Sequence, residues 1–204
     1  MTSVAPAMTA RPRRVRVAII AAISLCALGT AIFAVAQRTY WPKRFAVVEP
    51  GQIFRSGQPY GRALERVIDT HNIKTVLTFL HYVPWDEEQS DERRILEERG
   101  LRMIRIPMPG NGMGTFADLD AAADALADPA NRPILAHCAA GVQRTGAALA
   151  AYRMKRCGWT WEQAMEESDR SGWPVRAKPE LAEHLRRYYQ THVRASGPTS
   201  APAA

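Results

Sequence analysis

The chain has 204 residues, 47% of them hydrophobic and 23% charged, a composition that suits one folded domain and excludes a wholly disordered chain. Its net charge of +7 suggests a nucleic-acid partner at first sight, but residues 1–44 carry seven basic residues and no acid, whereas residues 45–204 carry twenty of each sign. With the excess at one end, three cysteines without a CxxC pair, and histidines only at 71, 81, 137, 184 and 192, the composition argues against nucleic-acid binding, a disulfide scaffold and a metal or cofactor site.

In chain order, residues 1–16 form a basic segment with Arg11, Arg13, Arg14 and Arg16. Residues 17–36 hold no charge, and twenty helical residues at about 1.5 Å each can span a bilayer core of about 30 Å. Tyr40 and Trp41 sit where interfacial aromatics are expected, in a juxtamembrane linker over 37–44. This reads as an uncleaved transmembrane anchor in preference to a signal-peptide core, although Ala34-Val35-Ala36 would also suit cleavage. Four arginines precede the span, and Arg38, Lys43 and Arg44 follow it, which places the remainder on the non-cytoplasmic side of the membrane. A cleaved product would instead be secreted or periplasmic.

Residues 45–195 alternate between helical and strand patterns. Helices are expected over 60–71, 86–99, 116–126, 147–156, 160–170 and 179–193, and strands over 74–80, 101–106 and 132–137. Gly100 stops the second of these helices, and Thr115 with Asp118 reads as a capping pair opening the third. The alternation predicts a single three-layer α/β domain, a mostly parallel central sheet flanked by helices. Three glycines and two prolines in 107–114 suit either a moving lid or a passive connection. The small, proline-containing tail at 196–204 is expected to be disordered.

The densest chemistry lies at 137–146, His-Cys-Ala-Ala-Gly-Val-Gln-Arg-Thr-Gly, between an apolar strand pattern and a helical run. A loop feeding a helix N-terminus aims unpaired backbone N–H groups and a partial positive charge at one spot. A nearby cation and a helix start favour the thiolate form of a cysteine such as Cys138. Arg144 offers a planar fork suited to two phosphate oxygens. Thr145 can donate a hydroxyl hydrogen to the Cys138 sulfur, and His137 can fix the loop from behind. Taken singly, Cys138 reads as a buried strand-end cysteine and Arg144 as a surface charge; the joint spacing favours function. Cys157 lies roughly 20 Å along the following helix from Arg144, too far for a bridge to Cys138.

This segment resembles the signature loop of the cysteine-based protein tyrosine and dual-specificity phosphatases. Gly51-Gln52-Ile53-Phe54-Arg55-Ser56-Gly57-Gln58-Pro59 is similar to the opening of their smaller dual-specificity-like members, and Ala151-Tyr152-Arg153-Met154 through Gly158-Trp159 and Glu162-Gln163-Ala164 is similar to the helix pair that follows the loop in bacterial ones. The resemblance implies hydrolysis of a phosphomonoester through a phosphocysteine at Cys138. Arg144 and the backbone of Ala139, Ala140, Gly141, Val142, Gln143 and Arg144 would hold the phosphate. It also implies a leaving-group acid after the strand at 101–106, where 107–114 has none. Asp118 is the nearest candidate, with Asp86, Glu87 and Glu88 further off, and each also fits a helix start. The loop's variable positions are uncharged, which favours phosphotyrosine protein over polyphosphorylated inositol and leaves phospholipid open. A phosphoprotein-binding module of low turnover and a rhodanese-like sulfurtransferase are the rival readings.

Overall fold

The structure, a computed structural model, describes residues 13–171 and 175–195. The first twelve residues of the basic segment and the tail at 196–204 lie outside the described residues. The chain divides after Thr39. Helix α1 (Arg13–Tyr40) contains a stretch, Val15–Phe33, of mean hydropathy 2.2, none of it buried against protein. By length and composition this stretch suits a membrane span or a signal sequence. The Thr30 hydroxyl donates back to Cys26 O at 3.0 Å, so it does not need water.

The second part is built on a five-stranded sheet in the order β1 (Ala46–Glu49), β2 (Ile53–Gly57), β5 (Ile134–Cys138), β3 (Thr75–Thr78), β4 (Arg102–Arg105). The β1–β2 pair is antiparallel and the rest are parallel, in agreement with the expected fold class. The parallel strands are joined through α2 (Gly61–His71), α3 (Glu87–Glu98) and α4 (Phe116–Ala127), and α5 (Gln143–Arg156), α6 (Trp161–Arg170) and α7 (Pro179–Tyr188) follow β5. Capping boxes at Thr115–Asp118 and Thr160–Gln163 and the Asp86 cap on Gln89 N set three of the helix starts.

Side chains alternate across a strand, so each central strand feeds two cores. Phe54, Val76 and Leu135 face α2 and α3, where Leu64, Val67, Ile95 and Leu96 are buried. Ile53, Leu77, Ile134 and Ala136 face the layer of α4 to α7, with Leu119, Leu126, Met165 and Tyr188. At about 25 cal/mol per Å² of apolar surface, these two layers supply the main driving force of folding.

Three departures from the sequence reading have local causes. The β1–β2 hairpin has no alternating or continuous apolar pattern, because Arg55 and Ser56 follow Ile53 and Phe54 in a five-residue strand that is buried throughout. Helix α5 begins at Gln143, since the preceding loop runs straight into it. The last helix gives way to a π turn over Tyr189–Val193.

The hairpin is fastened to the helices by charge. Glu49 accepts from Tyr152 Oη at 2.8 Å and from Arg153 Nη1 at 2.5 Å, and Arg153 Nη2 reaches Glu167 at 2.7 Å. Arg153 is buried and each carboxylate is partly buried. Arg153→Met leaves two acids without their shared cation and should destabilise the domain by about 3 kcal/mol, read as a lower urea midpoint at unchanged slope.

Candidate active site

Strand β5 ends on His137 and Cys138, and the period of two sends them to opposite faces of the sheet. Cys138 joins the α4–α7 layer and is 2% exposed. His137 is directed to the α2–α3 side, where its Nε2 lies 2.7 Å from Glu92 Oε1, both side chains fully buried.

Residues 139–142 then turn sharply into α5. Gly141 sits at φ +70, and a Cβ there would come within 2.5 Å of Gly57 N and 2.6 Å of Ser56 C. Only glycine suits both the angle and the close approach. Gly57 in turn approaches the loop closely enough that a Cβ would lie 3.1 Å from Ala139 O. The end of β2 is therefore the floor on which the loop is cast.

Three successive loop carbonyls are drawn to that side. Ala139 O accepts from Gln58 N at 3.2 Å, Ala140 O from Arg44 Nη1 at 2.9 Å, and Gly141 O from Arg55 Nη2 at 2.7 Å. In a trans peptide the N–H points opposite to the carbonyl. The amides of Ala140, Gly141 and Val142 accordingly turn away from β2, and Gly141 N donates to Cys138 Sγ at 3.2 Å. Val142, the residue before α5, provides no side-chain cap, so the first turn of the helix keeps donors for an anion.

Burial opposes ionisation of Cys138 more than any other influence. The Thr145 hydroxyl and amide, the Arg144 charge and the Val142 amide together outweigh it, and the thiol falls below its ordinary value. Thr145 is fully buried. Arg144 is half-buried in the first turn of α5, and its Nε has no partner among the described residues. Arg55 is 5% exposed; burial lowers its pKa, while the Cys138 and Glu167 charges counter that loss.

The connection at 107–114 is seated on the site. A Cβ on Gly112, at φ +81, would meet the Gln143 backbone at 2.9 Å; Met108 is fully buried, and Gly114 O pairs with His184 Nε2 at 2.8 Å. These anchors fit the passive connection. Two of the acids named from the sequence close helix starts, while Glu87 and Glu88 are exposed in the first turn of α3. Asp118 Oδ2 accepts from Thr115 N at 2.8 Å and Thr115 Oγ1 at 2.7 Å, and Asp86 caps α3 through Gln89 N at 3.1 Å.

The sequence reading brought His137, Cys138, Arg144 and Thr145 forward, and the fold gathers them around one turn. It did not assign Arg44, Arg55 or Glu92. Arg55 had a signal, its place inside the second motif; Arg44 and Glu92 had none, since Arg44 meets the loop and Glu92 meets His137 only through tertiary packing.

Two tests follow from this geometry. Gly141→Ala should lower turnover by about 100-fold, because the loop must shift to admit the methyl group. The rate of Cys138 alkylation by iodoacetamide should reach half its maximum below the pH of an unperturbed thiol, about 8.5, and should fall as pH drops through that lowered value.

Residues 52–181 match the family described as DSP-PTPase phosphatase fused to NAD+ Kinase. The dual specificity protein phosphatase TpbA of Pseudomonas aeruginosa is 26% identical over 121 residues, 59% of this chain and 51% of that protein. The inositol diphosphatase DSP3 of Arabidopsis thaliana is 31% identical over 130 residues, 62% of this chain and 61% of that protein. The chain thus spans about half to three fifths of the length of these curated relatives. Among solved structures, the core catalytic domain of the PP-IP phosphatase SIW14 from S. cerevisiae superposes with a TM-score of 0.62 at 22% identity, over 76% of this chain and 91% of that one. A turn that only Gly141 can make, the Cys138 and Arg144 spacing around it, and a match over most of the α/β domain lead to one conclusion: the chain belongs to the dual-specificity-like phosphatase family of the cysteine-based protein tyrosine phosphatases.

Proposed function

We propose that this protein is a cysteine-dependent phosphomonoester hydrolase acting first on phosphotyrosine. The observation that carries the reading is the loop itself: three carbonyls tied by Gln58, Arg44 and Arg55, their partner amides turned toward a thiol of lowered pKa, and Arg144 at the helix start.

In the proposed mechanism the Cys138 thiolate attacks phosphorus, forming the S–P bond as the P–O bond to the leaving group breaks. The loop amides and the Arg144 fork hold the non-bridging oxygens as charge shifts onto them. Water then attacks phosphorus, the S–P bond breaks, phosphate departs and the thiolate is restored with loss of one proton.

The leaving group decides the substrate class. Asp118 and Asp86 are both engaged as helix caps, so a substrate whose leaving group departs without a proton donor is favoured. A phenol, with a pKa of about 10, leaves far more readily than an alkyl alcohol. A phosphoanhydride shares that property, and the kinship with an inositol diphosphatase supports it as a second reading. The uncharged Ala139, Ala140, Val142 and Gln143 weigh against so highly charged a substrate. The apolar stretch of α1 supports tethering to a membrane, and the basic residues on its N-terminal side support a catalytic domain on the non-cytoplasmic face.

A panel run on the full chain in detergent tests the proposal. Phosphotyrosine peptide should be turned over at least about 10-fold faster than phosphoserine peptide, anionic phospholipid or an inositol pyrophosphate, and Cys138→Ser should abolish all turnover. Tight phosphotyrosine binding without Cys138-dependent turnover would show a binding module, and thiosulfate–cyanide activity would show a sulfurtransferase.

A further inference from the structure

Glu92 stands where a helix normally places a core residue. Its helix α3 buries Gln89, Glu92, Ile95 and Leu96, a spacing that puts all four on the inward face. Around them the α2–α3 layer is apolar, with Phe54, Val76 and Leu135 from the sheet. A lone carboxylate there is costly by several kcal/mol, and a leucine of similar size would pack without that cost.

The carboxylate has one neighbour to offset the cost. His137 Nε2 lies 2.7 Å from Glu92 Oε1, a close polar contact without hydrogen-bond alignment, and neither side chain has a hydrogen-bond partner among the described residues. The polar side chains that share this face with His137 on the flanking strands are Ser56 and Thr78, in register beside it, and neither is charged. One proton between Glu92 and His137 Nε2 can serve this contact, since a carboxylate accepts and a carboxylic acid donates.

Both ends of the contact are fixed. Gln89, one turn before Glu92, donates from Nε2 to Asp86 Oδ2 at 3.1 Å and accepts from Val83 N at 3.3 Å, while Ile95 and Leu96 anchor the next turn in the core. His137 O accepts from Phe79 N at 3.0 Å. The next residue along β5 is Cys138.

We infer that Glu92 is a positioning residue for the nucleophile: its contact with His137 Nε2 fixes the imidazole behind the sheet, and with it the His137–Cys138 peptide that aims the sulfur. The charged groups that act on Cys138 from its own side are Arg144 and Arg55; Glu92 acts from the opposite side, through geometry.

This rests on Cys138 being the nucleophile, and the experiment separates the two. In the full chain, Glu92→Leu should lower kcat on an aryl phosphate by about 100-fold with KM within about twofold, and raise the pH midpoint of Cys138 alkylation. Glu92→Gln, which keeps an acceptor, should recover kcat to within about tenfold of the wild type. Wild-type kcat and alkylation in Glu92→Leu would overturn the inference, as would Glu92→Gln being as impaired as Glu92→Leu. Absence of Cys138-dependent turnover in the unmutated protein would instead overturn the phosphatase reading, with the alkylation comparison still deciding the role of Glu92. Should Glu92→Leu not fold, NMR of the unmutated protein decides: an exchange-protected proton shared between His137 Nε2 and Glu92 is required, and its absence refutes the inference.

Discussion

The turn at Gly141, pressed against Ser56 and Gly57, is the constraint on which the site depends. Its positive φ and the 2.5 Å that a Cβ would leave to Gly57 N mean that β2 and the loop can meet only through backbone. That contact brings Arg55 and Gln58 within reach of the loop carbonyls, and Arg44 joins them from the residues before β1. Once the carbonyls are tied down, peptide planarity turns the amides toward the sulfur. An anion site of this kind needs no charged side chain in the loop apart from Arg144. Its donors are oriented before any ligand arrives, so little reorganisation is needed when charge develops.

The same strand that presents Cys138 to one layer presents His137 to the other. Apolar packing on both faces holds β5 in the centre of the sheet, between β2 and β3. The polar residues in this interior are concentrated at the C-terminal ends of the parallel strands, as Arg55, Ser56, Thr78 and His137. Open parallel sheets commonly carry their sites at that edge, because the loops there leave the sheet and the helix N-termini converge. Here the burial of polar groups costs stability, and Glu49, Arg153 and Glu167 supply a second fastening that holds the β1–β2 floor against α5 and α6.

The acids illustrate how one residue type serves competing roles. Asp118 and Asp86 lie near the strand ends in sequence, yet each closes a helix N-terminus by accepting backbone N–H groups. Carboxylates are well suited to that position, because the helix dipole and the unpaired amides both favour negative charge. In the proposed reading, the use of these acids as caps favours leaving groups that depart as anions.

The sequence alone was enough for the fold class, most of the helices, and the Cys138–Arg144 spacing with Thr145 behind it. Those signals are local: hydrophobic period, capping residues and a short motif whose chemistry constrains adjacent positions. The β1–β2 hairpin escaped because a strand containing Arg55 and Ser56 does not look buried. Arg44 and Arg55 reach the loop across 96 and 86 positions, Glu92 meets His137 from an equally separate element, and no period or spacing encodes such a meeting. Only the tertiary structure decided which carbonyls are tied, which acids are spent on caps, and which buried carboxylate stands beside His137, because each depends on packing between elements distant in the chain.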